Sequence, residues 1–201
     1  VVEVRLVFTR AARDNGWRDD LGREHWDRVE RWSRYLLEKD IGYRFVTGDE
    51  LADADAVSAD ASPLVLDGCA HLSDAQCESI RRFVAKGGSV WVVPPLATHD
   101  QAARPRAGNF LSQLDGNVTA LDIAQGPAAL VEIMEAGAFV PRIRRVSGPA
   151  GWRVRLRRHR DNWVIHLLND QLKGVAHPTV RDRWLQSNVL QRIEASAAHE
   201  P

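Results

Sequence analysis

Between Pro63 and Pro95 the chain passes from an unbroken apolar run to a three-and-four spacing and back to an apolar run. Pro63-Leu64-Val65-Leu66 reads as a strand buried on both faces, the pattern of a parallel sheet. Ser73 followed three residues later by Gln76 is a capping box, in which each side chain satisfies a backbone N–H that the first helical turn leaves open. Leu72 ahead of the cap and Cys77 beyond it supply a hydrophobic staple. Ile80, Phe83 and Val84 continue the stripe, Gly87-Gly88 provides a left-handed stop, and Ser89-Val90-Trp91-Val92-Val93 is the next buried strand. The segment is a strand–helix–strand unit.

The same reading extends in both directions. Val1 to Thr9 is a first strand and Asp14 to Gly22 a polar, glycine-containing loop. Glu24 to Asp40 is a helix whose apolar stripe is Trp26, Val29, Trp32 and Leu36, followed by a strand over residues 42–47. Residues 48–62 form an acidic, alanine-rich connection with a single helical turn. A long polar loop, Leu96 to Gly108, holds His99, Asp100, Arg104 and Arg106. A short helix near Asn109–Leu114, a strand over Asn117–Ile123 and a helix opened by Gly126-Pro127 complete this part. Strands alternating with helices predict an α/β fold: a flavodoxin-like, doubly wound, mainly parallel sheet over residues 1–140.

After Pro141 the texture changes to a small antiparallel β module over residues 141–190. Trp152, Val154 and Leu156 alternate with Arg153, Arg155 and Arg157, so the first set is expected to face inward and the second outward. Arg160-Asp161-Asn162 is a turn, Trp163 to Leu168 returns, Ala176–Trp184 reads as a further strand, and 191–201 reads as a frayed tail.

Charge sharpens the boundary. Net charge is zero, yet residues 1–140 hold 15 Lys/Arg against 22 Asp/Glu, and residues 141–201 hold 12 against 5. An Arg-rich module beside an acidic domain favours pairing within the protein over nucleic acid. No apolar run reaches the roughly 20 residues of a membrane helix. Cys69 and Cys77 lie too close along the chain for a structural disulfide to be worth much, so both are expected as reduced thiols in the cytoplasm. The chain opens on a strand at Val1 and is expected to be a segment of a longer protein.

The stretch from Leu64 to Pro94, with Leu72-Ser73-Asp74-Ala75-Gln76 opening a helix and Gly87-Gly88 closing it, resembles the class I glutamine-amidotransferase-like fold. More narrowly it resembles the trimerisation domain of family 42 glycoside hydrolases (β-galactosidases). Gly42-Tyr43-Arg44-Phe45-Val46 upstream, and the run from Trp163 to Asn169 in the small closing β-domain, fit the same pattern, which spans about residues 1–170. The resemblance implies an accessory domain that builds subunit contacts in a homo-oligomer, with a trimer as the form the resemblance suggests, and lends a loop to the sugar site of a parent glycoside hydrolase. It implies no cofactor and no membrane partner.

A working amidotransferase needs a nucleophile on a strained strand-to-helix elbow. After Val93 the chain offers Pro94-Pro95-Leu96-Ala97, with no Cys or Ser, and Thr179 in His177-Pro178-Thr179 replaces the acid that would orient a triad histidine. The only other nucleophile candidates are Cys69 and His71, two residues apart in a turn; with them the alternative is a stand-alone hydrolase or amidase-like enzyme. His71, His99 and Asp100 lack a metal-ligand spacing. Trp17, Arg18, His99 and Arg104, on loops at one sheet end, are the expected contact residues, since Trp and Arg dominate interface energetics.

Overall fold

The computed structural model describes residues 2–19, 25–122, 124–147, 152–160, 162–169 and 192–195. Its elements are β1 (Val4–Phe8), α1 (Arg10–Asp19), α2 (His25–Glu38), β2 (Tyr43–Thr47), α3 (Gly48–Ala52), α4 (Ala54–Ser58), β3 (Leu64–Asp67), α5 (Asp74–Ala85) and β4 (Val90–Val93). They continue with β5 (Val118–Ala120), α6 (Leu130–Glu135), β6 (Ile143–Ser147), β7 (Trp152–His159), β8 (Asn162–Asn169) and β9 (Arg192–Ala195). Strands β1 to β5 form one sheet in the order β2-β1-β3-β4-β5, every pair parallel. This is the doubly wound α/β arrangement the alternation predicts.

Strand alternation divides the core in two. Val7, Leu64, Leu66, Val90 and Val92 meet Leu51, Val57, Ile80 and Phe83 from α3, α4 and α5. Val4, Leu6, Val65, Trp91 and Val93 meet Trp32 and Leu36 from α2 and Leu130 and Ile133 from α6. Each central strand is apolar on both sides because each side is covered by helices.

Local signals place α5 residue by residue. Ser73 Oγ accepts from Gln76 N at 3.2 Å, and Gln76 Oε1 accepts from Ser73 N at 2.8 Å. At the other end Gly87 (φ 87°) donates to Val84 O and Gly88 to Phe83 O, each at 2.9 Å, which is a Schellman stop. The second glycine is required by space: a Cβ on Gly88 would lie 2.4 Å from Cζ of Phe83.

Within the α/β domain four expectations need correction. The Asp14–Gly22 loop is helical as far as Asp19, because Thr9 Oγ1 accepts from Ala12 N (3.3 Å) and starts α1 directly after β1. The buried stripe of α2 is His25, Val29, Trp32 and Leu36, and Trp26 is exposed. Positions 25 and 26 lie at adjacent edges of the stripe, and only His25 has polar partners waiting at the sheet. Residues 48–62 hold two short helices, each started by a side-chain cap, Thr47 and Asp53. The strand expected over 117–123 is confined to Val118–Ala120.

Beyond Pro141, β7 and β8 pair antiparallel from Trp152↔Asn169 to His159↔Asn162, and β6 pairs antiparallel with β9. Residues 192–195 are therefore a strand where a frayed tail was expected. Trp152 and Val154 are buried as expected and Leu156 is half-buried. Arg155, expected outward, instead turns to the α/β domain: its Nη1 donates to Asp40 Oδ1 at 3.4 Å. Asp40 sits at φ 62° just beyond α2 and also accepts from Val154 N at 2.7 Å. Glu3 accepts from Gly42 N and from Arg142 N, a second tie between the sheet and the β module. The expected strand at Ala176–Trp184, and His177, lie outside the described residues.

Candidate functional site

Open α/β sheets bind their ligands at the carboxyl ends of the strands, where the strand order reverses. Here β2 and β3 lie on either side of β1, so the reversal falls at the ends of β1 and β3. Side chains of the protein's own α2 bond to the chain there. His25, fully buried, accepts at Nε2 from Thr9 N (3.4 Å) and pairs through Nδ1 with Asp67 O (3.0 Å). A main-chain N–H can only donate and a carbonyl only accept, so this network assigns a neutral ring with its proton on Nδ1. The ring stacks on Phe8 at 5.5 Å. One turn on, Arg28 Nη1 donates to Asp67 Oδ1 (3.0 Å) and to Pro94 O (3.2 Å), and Trp32 Nε1 donates to Asp67 Oδ2 (2.9 Å). Both carboxylate oxygens of Asp67 are thus occupied, which suits it to hold α2 on the sheet. Gly68 (φ 62°) keeps the chain clear of Arg28, whose Cδ would lie 3.2 Å from an added Cβ.

Burial pushes the His25 pKa below its ordinary value, partly opposed by the Asp67 carbonyl. An unfolded imidazole takes up its proton near pH 6.5, the folded one only at lower pH. The unfolded chain binds more protons in that window, so the stabilisation is complete above about pH 6.5 and is lost as pH falls. This one group is expected to contribute a slope of up to about 1.4 kcal/mol per pH unit. Urea unfolding of wild type and His25→Gln from pH 7.5 to 5 checks it: the variant's slope should be shallower, and an unchanged slope would contradict the assignment.

The turn after β3 and the loop after β4 are zipped together by main-chain bonds. Ala97 N donates to Cys69 O (2.8 Å), His99 N to Ala70 O (3.0 Å) and Leu72 N to His99 O (3.2 Å). His71, fully buried, packs on the half-buried His99 with ring centroids 5.1 Å apart. Ala97 occupies the left-handed region at φ 48°, a strained conformation of the kind found at functional turns, but it carries only a methyl group. Cys69 is fully buried, and burial, reinforced by Asp67, pushes its thiol far above the ordinary range. A thiol held protonated and sealed from solvent is a poor nucleophile. Cys77 is raised by burial as well, and both cysteines are free.

Beside these loops runs a half-open cleft of about 580 Å³, lined by Asp74, Cys77, Arg81, Asp100, Arg104 and Arg106 among others. Its charges are internally matched: Arg106 with Asp74 (2.5 Å), Arg104 with Asp100 (2.6 Å), and Arg81 stacked 4.8 Å over Phe110. Arg104 is nonetheless 81% exposed. Asn15 Nδ2 donates to Gln101 O (3.1 Å), which ties α1 to this loop. Helix α1, bearing Trp17 and Arg18, therefore shares one end of the sheet with His99 and Arg104; the side chains of Trp17 and Arg18 lie outside the described ones. Sequence reasoning missed His25 and Arg28. The 25-29-32-36 spacing was the signal for the first, and nothing local marked the second. Among the described residues no group of three or more His, Cys, Asp or Glu side chains could hold a metal ion, and no helix is long and apolar enough to cross a membrane.

No protein-family model matches the chain, and no curated protein matches it. Solved structures do. A catalytic mutant of Gan42B, a GH42 beta-galactosidase from G. stearothermophilus, is similar with a TM-score of 0.64 at 13% identity, over 84% of this chain and 34% of that one. The beta-galactosidase from Bacillus circulans sp. alkalophilus gives 0.63 at 12% identity, over 84% and 35%. The exo-carrageenase GH42 from Bacteroides ovatus gives 0.55 at 13% identity, over 83% and 22%. At such identities the likeness is one of fold, and the chain spans about a third or less of these proteins.

Proposed function

We propose that this chain is the amidotransferase-like trimerisation domain, with its small β module, of a family 42 glycoside hydrolase, and that it works by association instead of chemistry. The observation carrying this reading is the match of 84% of the chain to about a third of two GH42 β-galactosidases. The catalytic carboxylate pair of such an enzyme would then belong to another part of the parent protein. The units are residues 1–140 and 141–190, and two buried free thiols suit a reducing cytoplasm.

Three features support association. At the switch point His25, Arg28 and Trp32 of α2 are bonded to Thr9 and Asp67 at the ends of β1 and β3, so these polar groups hold the fold together. The loop carrying His99 and Arg104 is held rigid by main-chain bonds, which lowers the ordering cost of a contact. Arg104 projects into solvent beside α1, which carries Trp17 and Arg18, residue types that anchor interfaces.

An electrophilic diazoketone analogue of glutamine separates this reading from a cysteine-dependent hydrolase. The native chain should be labelled neither at residues 94–97 nor at Cys69, and denaturation should make both cysteines reactive. Stoichiometric labelling of native Cys69 would overturn the reading in favour of an enzyme using Cys69 and His71.

A further inference from the structure

At the opposite end of the sheet from those loops, a second groove of about 370 Å³ lies between the edge strand β2 and β7. Its wall is aromatic: Tyr43 and Phe45, two residues apart on one side of the edge strand, meet edge to face at 5.7 Å and 84°. Phe45 is 46% exposed, unusual for a phenylalanine with a sheet behind it. The facing wall is β7, fixed in place by the bonds from Val154 and Arg155 to Asp40. Of the groove's three arginines, Arg44 is committed to Glu50 (2.6 Å) and Asp60 (3.6 Å), and Arg155 to Asp40. Arg157 is exposed and has no charge partner among the described residues.

We infer that this groove binds a pyranose ring carrying one anionic substituent, a carboxylate or a sulfate ester. The ring's C–H face lies on Phe45, in the way flat apolar faces stack on aromatic rings, and the substituent meets Arg157, whose planar fork matches either anion. The volume falls within the range of small-ligand sites. A nucleotide fits less well. The main-chain donor of Gly42 is already given to Glu3, and a phosphate chain would find one unpaired cation. The site is remote from the loops invoked for association, so it stands or falls independently of that reading.

The test is isothermal titration of the full 201-residue chain with galacturonate, galactose 6-sulfate, galactose and AMP, for wild type, Phe45→Ala, Phe45→Leu and Arg157→Gln. The acidic sugars should bind at least tenfold more tightly than galactose, and the tighter of the two identifies the preferred anion. Both Phe45 variants should weaken every sugar at least tenfold, Phe45→Leu doing so with an unaltered circular dichroism spectrum. Arg157→Gln should bring the acidic sugars down to the galactose level and leave galactose unchanged. No sugar binding to wild type, tighter binding of AMP than of either acidic sugar, or variants that bind as wild type does would overturn the proposal.

Discussion

Asp67→Ala is expected to destabilise the protein by about 3–5 kcal/mol, because it removes the buried carboxylate paired with the largely buried Arg28 guanidinium. Asp67 and Arg28 are 4% and 13% exposed at the side chain, so water offers Arg28 little in return for the lost partner. The same change strips Trp32 Nε1 of its acceptor in the core. The urea midpoint should move down by roughly 1–2 M at the slope usual for a protein of this size. Trp32→Phe, which removes only the indole donor, should cost less, about 1–3 kcal/mol. Replacing Arg28 by Met together with Asp67→Ala should recover part of the loss, since removing both charges of a buried pair is gentler than removing one. A cost below about 1 kcal/mol for Asp67→Ala would mean that α2 is held by its apolar stripe alone.

Arg5→Ala should be of similar size, about 3–5 kcal/mol, for a different reason. Arg5 is fully buried in β1, and its guanidinium lies 4.8 Å over the Phe83 ring. It donates to Val57 O (2.7 Å) and twice to Ser62 O (2.7 and 3.0 Å), so that one side chain closes the connection between α4 and β3. Burial lowers its pKa, and Asp60 at 3.9 Å opposes that shift. Truncation therefore leaves a cavity and two carbonyls without their charged donor. Arg5→Met, which keeps the stem, should cost measurably less than Arg5→Ala. Arg34→Ala, which removes an exposed i,i+4 pair with Glu30, should cost no more than about 0.5 kcal/mol. If Arg5→Ala and Arg34→Ala proved equal in urea unfolding, the buried bonds of Arg5 would have no energetic role.

These two sites show where sequence reasoning reaches its end. The strand–helix–strand unit around α5 was legible because its signals are local: the Ser73–Gln76 capping box, the Gly87-Gly88 stop and unbroken apolar strands all lie within a few residues of what they determine. Arg5 was not legible, because its partners Val57 and Ser62 lie more than fifty residues away and its strand reads as simply apolar. The register of α2 failed by one residue for a similar reason. Trp26 is the more hydrophobic choice, but His25 alone finds a donor at Thr9 and an acceptor at Asp67. Arg155 was expected outward by alternation and turns toward Asp40, a carboxylate 115 residues away that no periodicity could reveal. At the carboxyl end of the sheet the positions of Asp67, Cys69, His71, His99 and Arg104 were readable from strand order alone. Their states, whether sealed, paired or exposed, depend on packing between segments distant in sequence.

Association without chemistry is tested most directly by light scattering combined with a β-galactosidase assay on the longer glycoside hydrolase that the proposal supposes as parent, with and without residues 1–201. The intact parent should be a closed oligomer, with the trimer as the expected form, and Trp17→Ala should weaken assembly without unfolding the domain. Removing residues 1–201 should give a monomer whose turnover falls by at least tenfold. A parent that is monomeric from the outset, and whose turnover is indifferent to the loss of these residues, would contradict the role proposed for this chain.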